Sequence, residues 1–110
     1  MLERSTNYEL TQASLRYLIQ YTRTERDFIN SLEYGKKLYV HASKAFDDDM
    51  IIYSSRVILN SLAELKQLDK IEEFLKNKAV IRVLSKQEGL AYKSYVYLLS
   101  DNTKQVIADF

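Results

Sequence analysis

The chain has no cysteine and no proline, and among its 110 residues there are only two glycines and one histidine. Without cysteine there can be no disulfide scaffold, thiolate zinc site or cysteine nucleophile, which is compatible with a reducing cytoplasm. Two glycines cannot form a glycine-rich phosphate loop, and no Gly-x-Ser-x-Gly turn is present. His41 has no second histidine with which to bind a metal or act as an oriented base. These absences predict a protein that is not an enzyme and binds neither metal nor cofactor.

Long apolar runs are also missing. The first seven residues carry no signal-peptide core, and no run approaches the length of a membrane span. A chain of this length with 46% hydrophobic and 28% charged residues is typical of one globular domain. We therefore expect a single cytoplasmic domain over residues 1–110.

Apolar residues at helical spacing predict four helices, which aspartate and glycine must punctuate because proline is absent. The expected helices end near Tyr21, span about residues 28–46, run from Met50 to about Lys66, and span residues 68–78. Thr24 is the expected cap of the second helix and Asp49 of the third. The Asp47–Asp49 triplet lacks the spaced ligands and glycine of a calcium loop, so capping is favoured over metal binding. No internal repeat is apparent.

The second helix carries apolar residues at alternating steps of three and four, the spacing of a seam that faces another helix. Gly35 lies within this seam, where it indicates a close approach of a second backbone or a bend. Because the seam is long for a domain of this size, we expect a homodimer. The dimerisation residues are predicted to be Phe28, Leu32, Gly35 and Tyr39.

The stretch from Ser61 to Ser100 changes its period partway along. Helical spacing around Leu68–Leu75 gives way to two β-branched and aromatic runs, Val80–Val83 and Tyr92–Leu98, with Gly89 between them. Gly89 suits the positive φ of a short hairpin connection. This order resembles the winged helix-turn-helix superfamily, in which a leucine-rich helix leads into a strand, a charged wing and a returning tyrosine-rich strand.

The resemblance implies a mainly α protein with a C-terminal winged helix-turn-helix, a small β-hairpin wing and a short terminal helix. Residues 1–49 would supply the N-terminal helices and possible dimer contacts, and residues 50–110 the winged module. Residues 101–110 would form the terminal helix and bury Val106, Ile107 and Phe110. The implied function is sequence-specific binding of double-stranded DNA by a small transcriptional regulator.

The segment from Lys76 to Lys93 has five basic residues against one acidic residue, which favours phosphate contacts there. The lysines are expected to contact phosphates, and Lys70, Glu73 and Asn77 to reach base edges. The predicted DNA-binding residues are Lys66, Gln67, Lys70, Glu73, Lys76, Asn77, Lys78, Arg82, Lys86, Gln87 and Lys93.

Three questions remain open. Acidic Glu72 and Glu73 on the expected recognition helix oppose phosphates, which favours a helical cytosolic protein-binding protein of the immunity or adaptor type with no nucleic-acid ligand. Tyr92, Tyr95 and Tyr97 could stack on nucleic acid or could belong to a half-buried strand. The chain could also be helical throughout, with residues 79–99 forming a buried helix.

Overall fold

A computed structural model describes residues 6–99, which form six helices and contain no strand. In chain order these are α1 (Thr6–Thr24), α2 (Phe28–Lys44), α3 (Asp48–Glu64), α4 (Leu68–Leu75), α5 (Lys78–Val83) and α6 (Lys86–Leu99). Among the residues described, no helix combines the length and the apolar character that crossing a membrane requires. The expected terminal helix of residues 101–110 lies outside the described residues.

Three consecutive links share one conformation. Arg26, Phe46 and Lys66 follow one another at intervals of twenty residues, and each has a φ between 53° and 58°. Each of these amides donates to the carbonyl three residues earlier, and the next amide donates to the carbonyl five residues before it, which is the Schellman end of a helix. The structure therefore repeats one unit of helix and link. The repeat is not visible in the sequence, because the residue with positive φ differs each time and is never glycine.

Aspartate completes two of these links. Asp27 and Asp47 each accept a hydrogen bond from the amide three residues further on, and so cap α2 and α3. The predicted caps are wrong: Thr24 is the last residue of α1, and Asp49 lies within the first turn of α3. In the third link Gln67 precedes α4 without a side-chain cap.

Helices α2 and α3 pack closely along their length. A Cβ atom added to Gly35 would lie only 2.9 Å from Cγ1 of Val57 and 3.3 Å from Cγ1 of Ile58. The close packing expected at this glycine is thus observed, although the nearest atoms belong to side chains of α3 and not to its backbone. Small residues are frequent among the other buried positions of the two helices, which include Ser31, Ala42, Ser54, Ser55, Ser61 and Ala63.

Two clusters of buried apolar residues share α3. One joins α1, α2 and α3 through Leu15, Ile19, Leu38 and Val57. The other joins α2 and α3 to the last three helices through Leu32, Ile58, Leu59, Leu62, Ala63, Ile71, Val80 and Leu84, with Tyr92 packed against it. Because both clusters include residues from each side of the expected boundary at residues 49 and 50, the described part packs as one unit.

The predicted β-hairpin wing is wrong. Val80–Val83 belong to α5 and Tyr92–Leu98 belong to α6. Helix α5 begins after Asn77, whose side chain accepts the amide of residue 79 at 3.0 Å. Val80 and Leu84 then lie one turn apart and are both buried. A favourable cap and burial at helical spacing therefore outweigh the β propensity of the intervening residues.

Gly89 is also not the predicted turn residue. Neither glycine has a positive φ, and Gly89 lies within α6, where it faces the side chain of Leu75. Ser85 accepts the amide of Glu88 at 3.2 Å, as the first residue of a Ser-x-x-Glu helix start does. This signal is visible in the sequence and favours a helix. The described residues are thus helical, as the all-helical alternative has it, but residues 79–99 are divided between α5 and α6 and do not form one buried helix, since Ile81 and Leu90 are exposed.

Candidate functional site

The residues predicted to contact DNA do not form one ribbon. They are distributed over five elements: Lys66 and Gln67 in the α3–α4 link, Lys70 and Glu73 on α4, Lys76 and Asn77 between α4 and α5, Lys78 and Arg82 on α5, and Lys86, Gln87 and Lys93 on α6. Most of those with a described side chain are exposed. Whether any of them binds DNA stays a prediction.

Several of these residues have contacts within the chain, among them Gln67, whose amide nitrogen donates to the carbonyl of Leu65 at 3.4 Å. Arg82 forms a two-point ion pair with Asp48, in which Nη2 lies 2.8 Å from Oδ1 and Nη1 donates to Oδ2 at 3.0 Å. Asn77 caps α5 and also accepts the hydroxyl of Tyr39 at 2.8 Å. Lys93 is partly buried and lines a cavity of about 370 Å³ between α4, α5 and α6. Arg82 and Asn77 therefore have structural roles.

The four predicted dimerisation residues pack mainly within the chain. Leu32 and Gly35 are buried, Gly35 against α3. The ring of Tyr39 meets that of Phe74 edge-on, with 5.4 Å between their centroids. Phe28 is partly buried, and the guanidinium of Arg26 lies over its ring, 5.4 Å from the centroid. This packing accounts for the long seam without a second chain, and the homodimer stays a prediction.

A polar groove that sequence analysis did not single out lies between α1 and α3. The two helices run parallel because α2 returns the chain between them. At one end, the guanidinium carbon of Arg16 on α1 lies 5.8 Å from the ring centre of Tyr53 on α3. At the other end, Arg26 in the link after α1 lies beside Glu64, the last residue of α3. We call the surface between α1 and α3 from Arg16 to Arg26 the arginine groove. Its cavity of about 420 Å³ is lined by Gln20, Arg23, Thr24, Arg26, Phe28, Asn60 and Glu64.

Helix α6 is joined to α3 beside the arginine groove by two carboxylates, one on each helix. Glu64 of α3 accepts the hydroxyl of Tyr95 at 2.7 Å and lies 3.8 Å from Nη2 of Arg26. Glu88 of α6 accepts Nε of Arg56 at 3.2 Å. Because both contacts cross from α6 to α3, they hold α6 beside the groove.

Two tyrosines of α6 have raised pKa values. The hydrogen bond that Tyr95 donates to Glu64 raises the pKa of its hydroxyl. Burial raises the pKa of Tyr92, the charge of Glu88 adds to the rise, and nearby arginines, including Arg23, oppose it. Both hydroxyls therefore stay protonated at neutral pH, and that of Tyr95 acts as a donor.

The lining of the arginine groove suits a polar ligand with some negative charge. Gln20 and Asn60 each present an amide, which offers donors and an acceptor, and neither is hydrogen-bonded within residues 6–99. Four arginines face or flank the groove, two on α1, one in the α1–α2 link and one on α3: Arg16, Arg23, Arg26 and Arg56. The acidic residues beside it are two glutamates, Glu64 and Glu88. The balance of charge is positive.

A signal for the arginine groove does exist in the sequence. Arg16, Gln20 and Arg23 recur at steps of four and three, and Arg56 and Asn60 recur at a step of four. Each stripe alone is indistinguishable from the solvated face of an amphipathic helix. Only the parallel packing of α1 against α3 brings the stripes together.

Metal ligands do not converge among the described residues. No group of three histidine, aspartate or glutamate side chains in residues 6–99 could hold an ion. Asp47 is a helix cap and accepts the hydroxyl of Tyr8 at 2.8 Å, while Asp48 pairs with Arg82. His41 is exposed on α2. The first two aspartates of the triplet thus have structural roles.

Comparisons of the chain with protein-family models, with curated proteins and with solved structures find no match. The arginine groove is therefore the feature from which a function can be inferred.

Proposed function

We propose that the protein is a helical protein-binding module that holds a segment of a partner protein in the arginine groove. The observation that carries this proposal is the pair of amides, Gln20 on α1 and Asn60 on α3, in one open cavity. A peptide backbone offers a donor and an acceptor at each residue, and an amide side chain can satisfy both. Binding of this kind reads the backbone of the segment.

The two walls of the groove are well supported. Ile19 and Val57 lie in the buried cluster that joins α1 to α3, and both are almost fully inaccessible. The polar side chains therefore project from packed helices, so that binding has to order side chains but little backbone. A preformed polar groove on rigid elements favours binding over chemistry.

Binding of duplex DNA has weaker structural support. The expected recognition helix, α4, has eight residues and exposes Asp69, Glu72 and Glu73, whose charges oppose phosphates. DNA sequence is read by an element that enters the major groove, whereas the arginine groove is concave. In residues 6–99 there is also no wing to place lysines beside the duplex.

The test is to probe a random-sequence peptide array, then measure the strongest peptides in solution by fluorescence anisotropy. Mixed-sequence duplex and single-stranded DNA serve as competing probes between about 50 and 200 mM salt. The double variant Gln20→Ala/Asn60→Ala should bind the selected peptides about fivefold more weakly or worse. The reason is that each neutral hydrogen bond contributes about 0.5–1.5 kcal/mol.

The matched control is Gln67→Ala/Gln87→Ala, which removes two exposed amides that were predicted to contact DNA. Peptide affinity should not change in this control, and both double variants should unfold at the same temperature as the parent by circular dichroism. The proposal is overturned if no peptide binds while duplex DNA does, or if the control variant alone loses binding.

A further inference from the structure

We infer that the bound segment is acidic and that its carboxylates pair with Arg16 and Arg23 of α1. This inference rests on the proposed function and adds the chemistry of the ligand. Of the groove arginines, Arg26 and Arg56 already lie beside glutamates within the chain. In the part of the chain that the structure describes, Arg16 and Arg23 have no carboxylate within ion-pair distance.

Arg16 and Arg23 are positioned to act together. They are seven residues apart, so they lie on the same face of α1 and about 10.5 Å apart along its axis. Gln20 lies between them on that face and lines the cavity. An arginine presents donors in a planar fork that matches a carboxylate. The face thus offers two carboxylate sites with an amide between them.

The spacing also selects a ligand conformation. A polyproline II segment repeats every three residues and rises about 3.1 Å per residue, so every third side chain points the same way at intervals of about 9.3 Å. This interval is close to the axial separation of Arg16 and Arg23. We therefore expect acidic residues three positions apart in an extended segment, whose backbone would meet the amides of Gln20 and Asn60.

Tyr53 fixes the first of the two arginines. The guanidinium of Arg16 lies 5.8 Å from the centre of the Tyr53 ring, which is within the range of a cation–π contact and favours this orientation of the side chain. A lysine could keep the charge but not the recognition of a carboxylate, because an ammonium has neither the plane nor the fork of a guanidinium.

Carboxylate is favoured over phosphate by the groove's own negative charges. Glu64 and Glu88 border the groove, and α1 and α3 end beside it at Thr24 and Glu64, where the carbonyl ends of the helices carry partial negative charge. Because Arg26 and Arg56 are paired with these glutamates, only Arg16 and Arg23 are left to neutralise a ligand. Two carboxylates of charge −1 match them, whereas two phosphates, each of about −1.5 to −2 at neutral pH, would leave excess negative charge for these groups to repel.

The experiment uses a fluorescein-labelled Ala-Pro-Glu repeat peptide, which favours the extended conformation and places a carboxylate at every third residue. The matched probe is the Ala-Pro-Gln repeat. Parent protein should bind the glutamate peptide about tenfold or more tightly than the glutamine peptide, the effect of a charge-assisted hydrogen bond. The difference should shrink as salt increases, because these arginines are exposed.

Arg23→Gln should remove most of the preference for glutamate, and Arg16→Lys should reduce it. Lys70→Gln is the control, since Lys70 is an exposed cation on α4 that lies outside the groove. Its preference should equal that of the parent. Arg23→Glu should reverse the preference and bind an Ala-Pro-Lys repeat better than the parent does. Thermal midpoints by circular dichroism confirm that each variant folds.

The outcomes separate this inference from the proposed function. If array-selected peptides require Gln20 and Asn60 but glutamate and glutamine repeats bind equally, the acidic ligand is wrong and the protein-binding function stands. Tighter binding of an Ala-Pro-phosphoserine repeat, or of single-stranded DNA, would overturn the assignment to carboxylates. If Lys70→Gln and Arg23→Gln lost the preference for the glutamate peptide equally, only the overall charge of the protein would matter. That result would also overturn the assignment to Arg16 and Arg23.

Discussion

The first three helices and the last three are built differently. Helices α1, α2 and α3 have 19, 17 and 17 residues, whereas α4, α5 and α6 have 8, 6 and 14. The long helices pack against their neighbours in sequence, and each short helix packs against α3. Isolated helices as short as α4 and α5 are unstable in water. The short helices of the second half therefore depend on packing against α3 for their stability.

The two glycines make this comparison testable, because each half contains one inside a helix. Gly35→Ala should destabilise the protein, since its Cβ would lie 2.9 Å from a methyl of buried Val57. Overpacking costs about 1–3 kcal/mol, which exceeds the gain of about 1 kcal/mol in helix propensity. Gly89→Ala should be neutral or stabilising by up to about 1 kcal/mol, because its Cβ would meet the flexible end of Leu75 at 3.3 Å.

Urea unfolding of the two alanine variants gives both values. A difference of about 2 kcal/mol between them is expected. If Gly35→Ala were as stable as Gly89→Ala, the close packing of α2 on α3 would have to be looser than the structure shows.

The caps provide a second, smaller comparison. Asp27 caps α2 with its side chain, whereas Gln67 occupies the equivalent place before α4 and makes no such bond. Asp27→Ala should cost about 1 kcal/mol, and Gln67→Asp should stabilise by about 0.5–1 kcal/mol. Thermal unfolding measures both, with Gln67→Asn as an uncharged control that separates capping from the helix dipole. A lower midpoint in both Gln67 variants would contradict the equivalence of the links.

The smallest expected effect concerns the ion pair that joins α3 to α5. The hydrogen bond from Arg82 lowers the pKa of Asp48 below its usual value. A carboxyl whose pKa is lower in the folded state contributes stability above its unfolded pKa, and loses it as the pH falls through the folded value. Asp48→Asn should therefore lower the thermal midpoint slightly at neutral pH and leave it unchanged in strong acid.

Asp49→Asn is the control for this pair, because Asp49 is the adjacent carboxylate and makes no ion pair within residues 6–99. The effect is small because Asp48 and Arg82 are both exposed and water screens their attraction. An equal loss in both variants at neutral pH would assign the effect to the helix N-terminus rather than to Arg82.

Much of the first half could be predicted from the sequence. The apolar spacing of α1–α3 predicted helices whose ends differ from the observed ones by a few residues. The second half was misassigned because Val80–Val83 and Tyr92–Leu98 have the composition of strands. For runs this short, the caps at Asn77 and Ser85 were more informative than β propensity.

The order of the residues is enough to show that the chain is rich in amphipathic helices and that cysteine chemistry is absent. The left-handed backbone conformation of Arg26, Phe46 and Lys66 depends on tertiary packing. These residues have no local preference for positive φ, and the packing of the helices on either side holds them there. The arginine groove also depends on tertiary packing. Its residues are ordinary surface side chains on each helix, and they face one ligand site only because α1 and α3 pack in parallel.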